Sequence, residues 1–194
     1  MSNRKPAIDR PIISVFGSHS PAPGSKDYET ARDVGRLLAK AGYAVATGGY
    51  SGTMSGASQG ASEAGGLVIG VTSSQVESSR ATKLNRWVEV HVPFESLTDR
   101  LVYLVRNNDG MVVLPGGIGT LSEFALAWSF MQVGEMAIRP LVLVGEIWAE
   151  MMDIFVRGDY GASNFLHLLH TTNSAKGAVD YIRDFRPSAR LRAA

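Results

Sequence analysis

The 194-residue chain contains no cysteine, which excludes disulfides, thiolate metal sites and a cysteine nucleophile, and makes the cytoplasm the natural compartment. It also lacks a charge imbalance: 19 Lys and Arg stand against 18 Asp and Glu, a net charge of +1. Without a basic field there is no footing for a nucleic acid or an anionic membrane as partner, and a small ligand is the better expectation. No stretch approaches the roughly 20 apolar residues of a membrane helix. Met1 to Arg10 carries basic residues without an apolar run, unlike a secretory leader. Lysine is scarce, five in all, with none in a glycine-rich segment. Internal repeats and low-complexity tracts are missing as well.

What is present is ordinary globular material, 45% hydrophobic and 19% charged, with 21 glycines that imply several tight turns. The length suits one domain over 1–194, with flexible tails at 1–10 and 187–194. Ile12 to Phe16 is a β-branched run ending at Gly17-Ser18, the profile of a buried strand entering a loop. Asp27 to Ala41 carries apolar or small residues at helical spacing and is followed by Gly42. The alternation repeats with strands at Tyr43 to Thr47, Leu67 to Val71, Trp87 to Val92 and Gly110 to Leu114. Helices fall at Met54 to Ala64, Leu97 to Asn107 and Thr120 to Gln132. Leu141 to Val144, Trp148 to Arg157, Leu166 to His170 and Ala175 to Phe185 continue the pattern. Strands joined by helical crossovers predict a Rossmann-like, doubly wound, mostly parallel sheet with helices on both faces. Ligands then sit beyond the carboxyl ends of the strands, where this sequence concentrates glycine. The polar stretch Thr72 to Arg86 reads as an exposed loop, with a cover over the site as its alternative.

Pro115-Gly116-Gly117-Ile118-Gly119-Thr120 places three glycines between a buried strand and a helix start. A helix N-terminus offers unpaired N–H groups and positive partial charge, and glycine lets a phosphate approach them closely. The turn is therefore a candidate phosphate site, since three glycines exceed what a tight turn requires. It is no P-loop, having no Gly-Lys-Ser/Thr end, and it departs from the dinucleotide fingerprint, with Ser122 at the third glycine position. Gly48 and Gly49, in Thr47 to Gly56, form a second cluster that either lines the same crevice or lets a helix pack closely.

Together these segments resemble the LOG family, named after the plant "lonely guy" enzyme and formerly mislabelled lysine decarboxylases. Pro115 through Glu123 matches every fixed position of its Pro-Gly-Gly-x-Gly-Thr-x-x-Glu hallmark. Gly48-Gly49-Tyr50-Ser51-Gly52-Thr53-Met54 matches a second segment, and Arg100 matches the family arginine fifteen residues before the motif proline. The likeness runs from about Ile12 to Phe155. It departs at Thr47 and Ser55, which replace glycines, at Ser122, which replaces the first of paired glutamates, and at Asp99 and Leu101 around the arginine, as in a divergent bacterial-type branch. The resemblance implies hydrolysis of the N-glycosidic bond of a nucleoside 5′-monophosphate, of AMP or cytokinin riboside type, without a cofactor or metal. It implies Arg100 and Glu123 as catalytic residues and Gly17, Ser18, Gly48, Gly49, Gly116, Gly117, Gly119 and Thr120 as phosphate or substrate contacts. It also implies a homodimer, for which Ala125 to Val133 is a candidate interface.

The residues suit that reaction. Cleavage builds positive charge on the ribose, so a carboxylate beside it is needed. Glu123 lies one helical turn beyond the phosphate turn, although Thr120-Leu121-Ser122-Glu123 also has the form of a capping box, the reading the pattern alone favours. Arg100 falls at the edge of the apolar stripe Leu97, Leu101, Leu104 and Val105, from which a guanidinium can hold phosphate or base. His19 reads as an incidental loop residue. His167 and His170 have ligand spacing but no third ligand. A decarboxylase would need a Schiff-base lysine that the motifs do not offer. The alternative to an enzyme is a non-catalytic carrier of a nucleotide or of molybdenum cofactor on the same fold.

Overall fold

A computed structural model describes residues 8–158 and 162–186. The tails expected at 1–10 and 187–194 lie almost wholly outside these. The described residues form a seven-stranded, entirely parallel sheet in the order β4-β3-β2-β1-β5-β6-β7. The strands are β1 (Ile12–Phe16), β2 (Ala44–Thr47), β3 (Val68–Ser73), β4 (Val90–Phe94), β5 (Gly110–Val113), β6 (Leu141–Val144) and β7 (His170–Thr172). Between them run α1 (Lys26–Lys40), α2 (Thr53–Glu63), α3 (Ser74–Arg80), α4 (Leu97–Arg106), α5 (Ile118–Gln132) and α6 (Glu146–Arg157), with α7 (Ala175–Asp184) following β7. No described helix is long and apolar enough to cross a membrane.

Both faces of the sheet are covered, which explains why its central strands read as continuous apolar runs. Ile12, Phe16, Val71 and Val113 point to the layer of α4, α5 and α6, where Phe124 and Trp148 pack. Ile13, Val15, Val45 and Val112 point to the layer of α1, α2 and α7, against Val34, Leu38 and Ala57. The chain steps outward from β1 through β2 and β3 to β4, then crosses back to place β5 on the other side of β1. Strand order therefore reverses between β1 and β5. The loops leaving these two strands diverge there and open a crevice.

Two expectations are corrected. Thr72 to Arg86 is no plain loop: Thr72 and Ser73 finish β3, and Ser73 caps α3 by accepting from the Val76 N–H. Leu166 to His170 is not a strand. Residues Ala162–Leu168 form a 3-10 helix, held toward α5 by the Trp128 indole N–H donating to the Phe165 carbonyl at 3.2 Å, and pairing with β6 begins only at His170. Within the candidate interface Ala125 to Val133, Ala127 and Met131 belong to the core, whereas Val133 is 70% exposed.

Candidate active site

Serine caps α1, α3, α4 and α7 through Ser25, Ser73, Ser96 and Ser174. Helix α5 differs. Its N-cap is Gly117, which has no side chain to satisfy the first N–H groups. Gly52 and Gly145 leave the starts of α2 and α6 without a side-chain cap in the same way; the start of α5 lies at the reversal point, where Gly117, Ile118 and Gly119 are exposed. A Cβ at Gly117 or Gly119 would meet nothing within 4 Å, while one on Gly116 would collide with Thr120. Gly116 is thus required by the turn itself, and the space above Gly117 and Gly119 is free for a ligand.

Gly17 and Ser18 leave β1 beside this turn. The Ser18 carbonyl accepts from the Thr53 N–H at 2.8 Å and from the Thr53 hydroxyl at 3.0 Å, stitching the loop to the start of α2. Ser18, Ser20, Pro21, Ser25, Asp27, Pro115 and Gly116 line a cleft of about 400 Å³. On the other side, His19, Tyr50, Ser51, Arg80, Ala81 and Thr82 line one of about 290 Å³. These volumes approach the lower end of small-molecule sites.

Arg100 and Glu123 come from different helices and meet under the sheet's carboxyl edge, with Arg100 Nη1 3.8 Å from Glu123 Oε1. Both are 7% exposed. Arg100 Nε donates to the Val71 carbonyl at 2.9 Å, while its two terminal nitrogens make no hydrogen bond to any described residue. Burial pushes the Glu123 carboxyl up to about 7, opposed by the Arg100 charge. Helix α5 begins at Ile118, so Thr120 already lies inside the helix, and Glu123 makes no hydrogen bond back to its start. The capping-box alternative is therefore corrected: the carboxylate faces Arg100 instead.

Gly48 and Gly49 serve different ends. A Cβ at Gly48 would strike Arg100 Nη2 and stand 2.6 Å from Met54 Sδ, so its absence makes room for the guanidinium. Gly49 adopts φ +77°, its N–H donates to Thr47 Oγ1 at 3.0 Å, and its carbonyl accepts from the Asn85 N–H at 2.8 Å. Asn85 Nδ2 also donates to the Tyr50 carbonyl at 3.1 Å. Thr47, where the plant-type pattern has glycine, thus braces the turn. Asn85 and Tyr50 were not legible as site residues. The available signal was Tyr50 as the lone aromatic in a glycine cluster.

His170 stacks on Tyr181 with ring centroids 4.0 Å apart, and His167 is exposed. Among the described residues no group of three or more His, Asp or Glu could hold a metal ion.

The family model described as the SLOG cluster4 family matches residues 10–146. A cytokinin riboside 5′-monophosphate phosphoribohydrolase of Rhodococcoides fascians is 28% identical over 137 residues, 69% of this chain and 67% of that protein. Among solved structures, the molybdenum cofactor binding protein of Rippkaea orientalis matches with a TM-score of 0.71 at 27% identity, covering 91% of this chain and 98% of that one. The molybdenum cofactor carrier protein of Chlamydomonas reinhardtii matches with a TM-score of 0.68 at 26% identity, covering 95% and 99%.

Proposed function

This chain belongs to the SLOG cluster4 family, and we propose that it hydrolyses the N-glycosidic bond of a nucleoside 5′-monophosphate. The C1′–N bond breaks, water oxygen bonds to C1′, and its proton goes to the departing base, giving free base and ribose 5-phosphate. The observation that carries the reading is the buried pair of Arg100 and Glu123, close enough to interact yet leaving the outer edge of the guanidinium unbonded. An ionised Glu123 stabilises the positive charge that grows on the ribose as the bond breaks, an effect strengthened by its dry surroundings. The terminal nitrogens of Arg100 carry unbonded N–H groups that phosphate or the leaving base can accept from. The open N-terminus of α5 holds the phosphate through Gly116, Gly117, Gly119 and Thr120, with Gly17 and Ser18 closing the β1 side and Gly48 and Gly49 shaping the Arg100 side.

The 28% identity to a phosphoribohydrolase supports this chemistry. The test is incubation with AMP and N6-modified adenosine monophosphates, scoring free base and ribose 5-phosphate. Release that disappears in Glu123→Gln supports the reading. No release from any purine or pyrimidine monophosphate refutes it.

A second reading is favoured by the near full-length match to molybdenum cofactor binding and carrier proteins: the same phosphate turn holds that cofactor without breaking a bond. A co-purifying pterin with no base release selects it. For either function we infer a homodimer, in which the exposed Val133 of the α5 end and Ile147, Ile154 and Phe155 of α6 become covered. Light scattering distinguishes dimer from monomer.

A further inference from the structure

Tyr50 lies between two glycines of the Gly48 to Gly52 turn, yet it is only 2% exposed. A tyrosine in a loop at the mouth of a crevice would ordinarily turn outward. Here its hydroxyl is held at the end of β3 by both backbone groups of one residue: it accepts from the Ser73 N–H at 2.8 Å and donates to the Ser73 carbonyl at 3.1 Å. Burial pushes its phenol up, so it keeps the proton it donates. The ring then carries the Arg100 guanidinium, whose central carbon stands 5.5 Å from the ring centroid, within the range of a cation–π contact.

The guanidinium is thereby bounded by three segments of the chain: β3, the loop between β2 and α2, and α5. Its Nε donates to the Val71 carbonyl of β3, its Nη2 lies over the gap left by Gly48, its Nη1 faces Glu123, and its central carbon lies over the Tyr50 ring. An arginine held by Nε alone swings about its terminal torsions, and that freedom costs precision in a reacting site. A cation–π contact on a buried ring restricts such motion. Charged groups acting on Tyr50 are Arg100 and Glu77; the one acting on Glu123 is Arg100.

We propose that Tyr50 is a positioning residue, whose buried ring seats the Arg100 guanidinium so that Nη1 addresses Glu123. The proposal rests on the reading of Arg100 and Glu123 as the working pair, but its consequence is electrostatic and measurable without turnover. When the ring is removed, the guanidinium leaves its seat and its charge no longer eases ionisation of Glu123.

The experiment uses the full chain labelled with carbon-13 at glutamate side-chain carboxyls, with Glu123→Gln identifying the signal. Arg100→Gln raises the titration midpoint of Glu123 by on the order of one pH unit, the effect of a nearby opposite charge. Tyr50→Leu and Tyr50→Met shift it in the same direction, while Tyr50→Phe, which keeps the ring, restores the wild-type midpoint. Folded Leu and Met variants that titrate like wild type, beside a shifted Arg100→Gln, overturn the proposal. So does an unshifted Arg100→Gln, which would leave no pair to position. Should both ring-less variants fail to fold, Tyr50→Phe decides: a wild-type midpoint supports the seat, and a shift as large as that of Arg100→Gln overturns it. If AMP is hydrolysed, the pH of half-maximal kcat moves with the midpoint. If no mononucleotide is cleaved, the hydrolase reading fails while the titration still judges Tyr50.

Discussion

Arg100 Nη1 stands 3.8 Å from Glu123 Oε1, too far for a hydrogen bond and near enough for strong Coulombic contact. Glu123 accepts no hydrogen bond from any described residue, so burial outweighs the arginine and the carboxyl is pushed up to about 7. If hydrolysis needs the ionised form, kcat rises with pH through about 7 and levels above it. A rate profile between pH 5 and 9 checks this. A profile flat across that range contradicts the assigned role.

The same residue makes the fold pH-dependent. Its folded pKa of about 7 exceeds the ordinary 4.5, so between those values the folded protein binds more protons than the unfolded one. Stability is then full below about 4.5 and falls as pH rises to about 7. At 1.36 kcal/mol per pH unit the loss approaches about 3 kcal/mol. Glu123→Gln lacks this loss, so its Tm advantage over wild type grows with pH, reaching on the order of 10 °C above pH 8. Parallel melting curves at pH 4 and pH 8.5 measure it. An advantage independent of pH would count against a raised Glu123.

Two glycine substitutions separate folding from binding. At Gly119 a methyl meets no atom within 4 Å and lies inside α5, so Gly119→Ala stabilises the helix by about 0.5–1 kcal/mol. The methyl enters the space where the phosphate is proposed to sit, and nucleotide affinity drops at least tenfold. Gly48→Ala acts elsewhere, by driving the Arg100 guanidinium off its seat. It lowers kcat with a smaller effect on phosphate affinity. Thermal melts and calorimetric titration with AMP resolve the two cases.

The fold was legible because its signals are local and repeated. Alternating strand and helix patterns specify a parallel sheet, and most elements begin or end within about two residues of expectation. Thr72 to Arg86 was misjudged because the N-cap at Ser73 was hidden in a serine-rich stretch, and Leu166 to His170 because a short apolar run does not distinguish a strand from a packed turn. Arg100 and Glu123 were singled out only through the family resemblance, Glu123 as the last position of the hallmark and Arg100 fifteen residues before its proline. Their contact depends on how α4 and α5 pack across the sheet, which no periodicity encodes. Tyr50 lay further out of reach still, since its burial depends on Ser73 of a different strand.

The open N-terminus of α5 supplies the last prediction, one that is independent of catalysis. A ligand bound only by the folded state raises stability by RT ln(1 + [L]/Kd), about 2.7 kcal/mol at one hundred times Kd. In a domain of this size that corresponds to a Tm increase of roughly 5–10 °C. Ribose 5-phosphate, which carries the phosphate but no base to release, produces this shift in wild type and in Glu123→Gln alike, because the phosphate site proposed at Gly117 and Gly119 lies a helical turn away from the carboxylate. Gly119→Ala loses it while melting no lower than wild type without ligand. A shift that survives in Gly119→Ala and vanishes in Glu123→Gln would move the phosphate from the glycine turn to the Arg100 side.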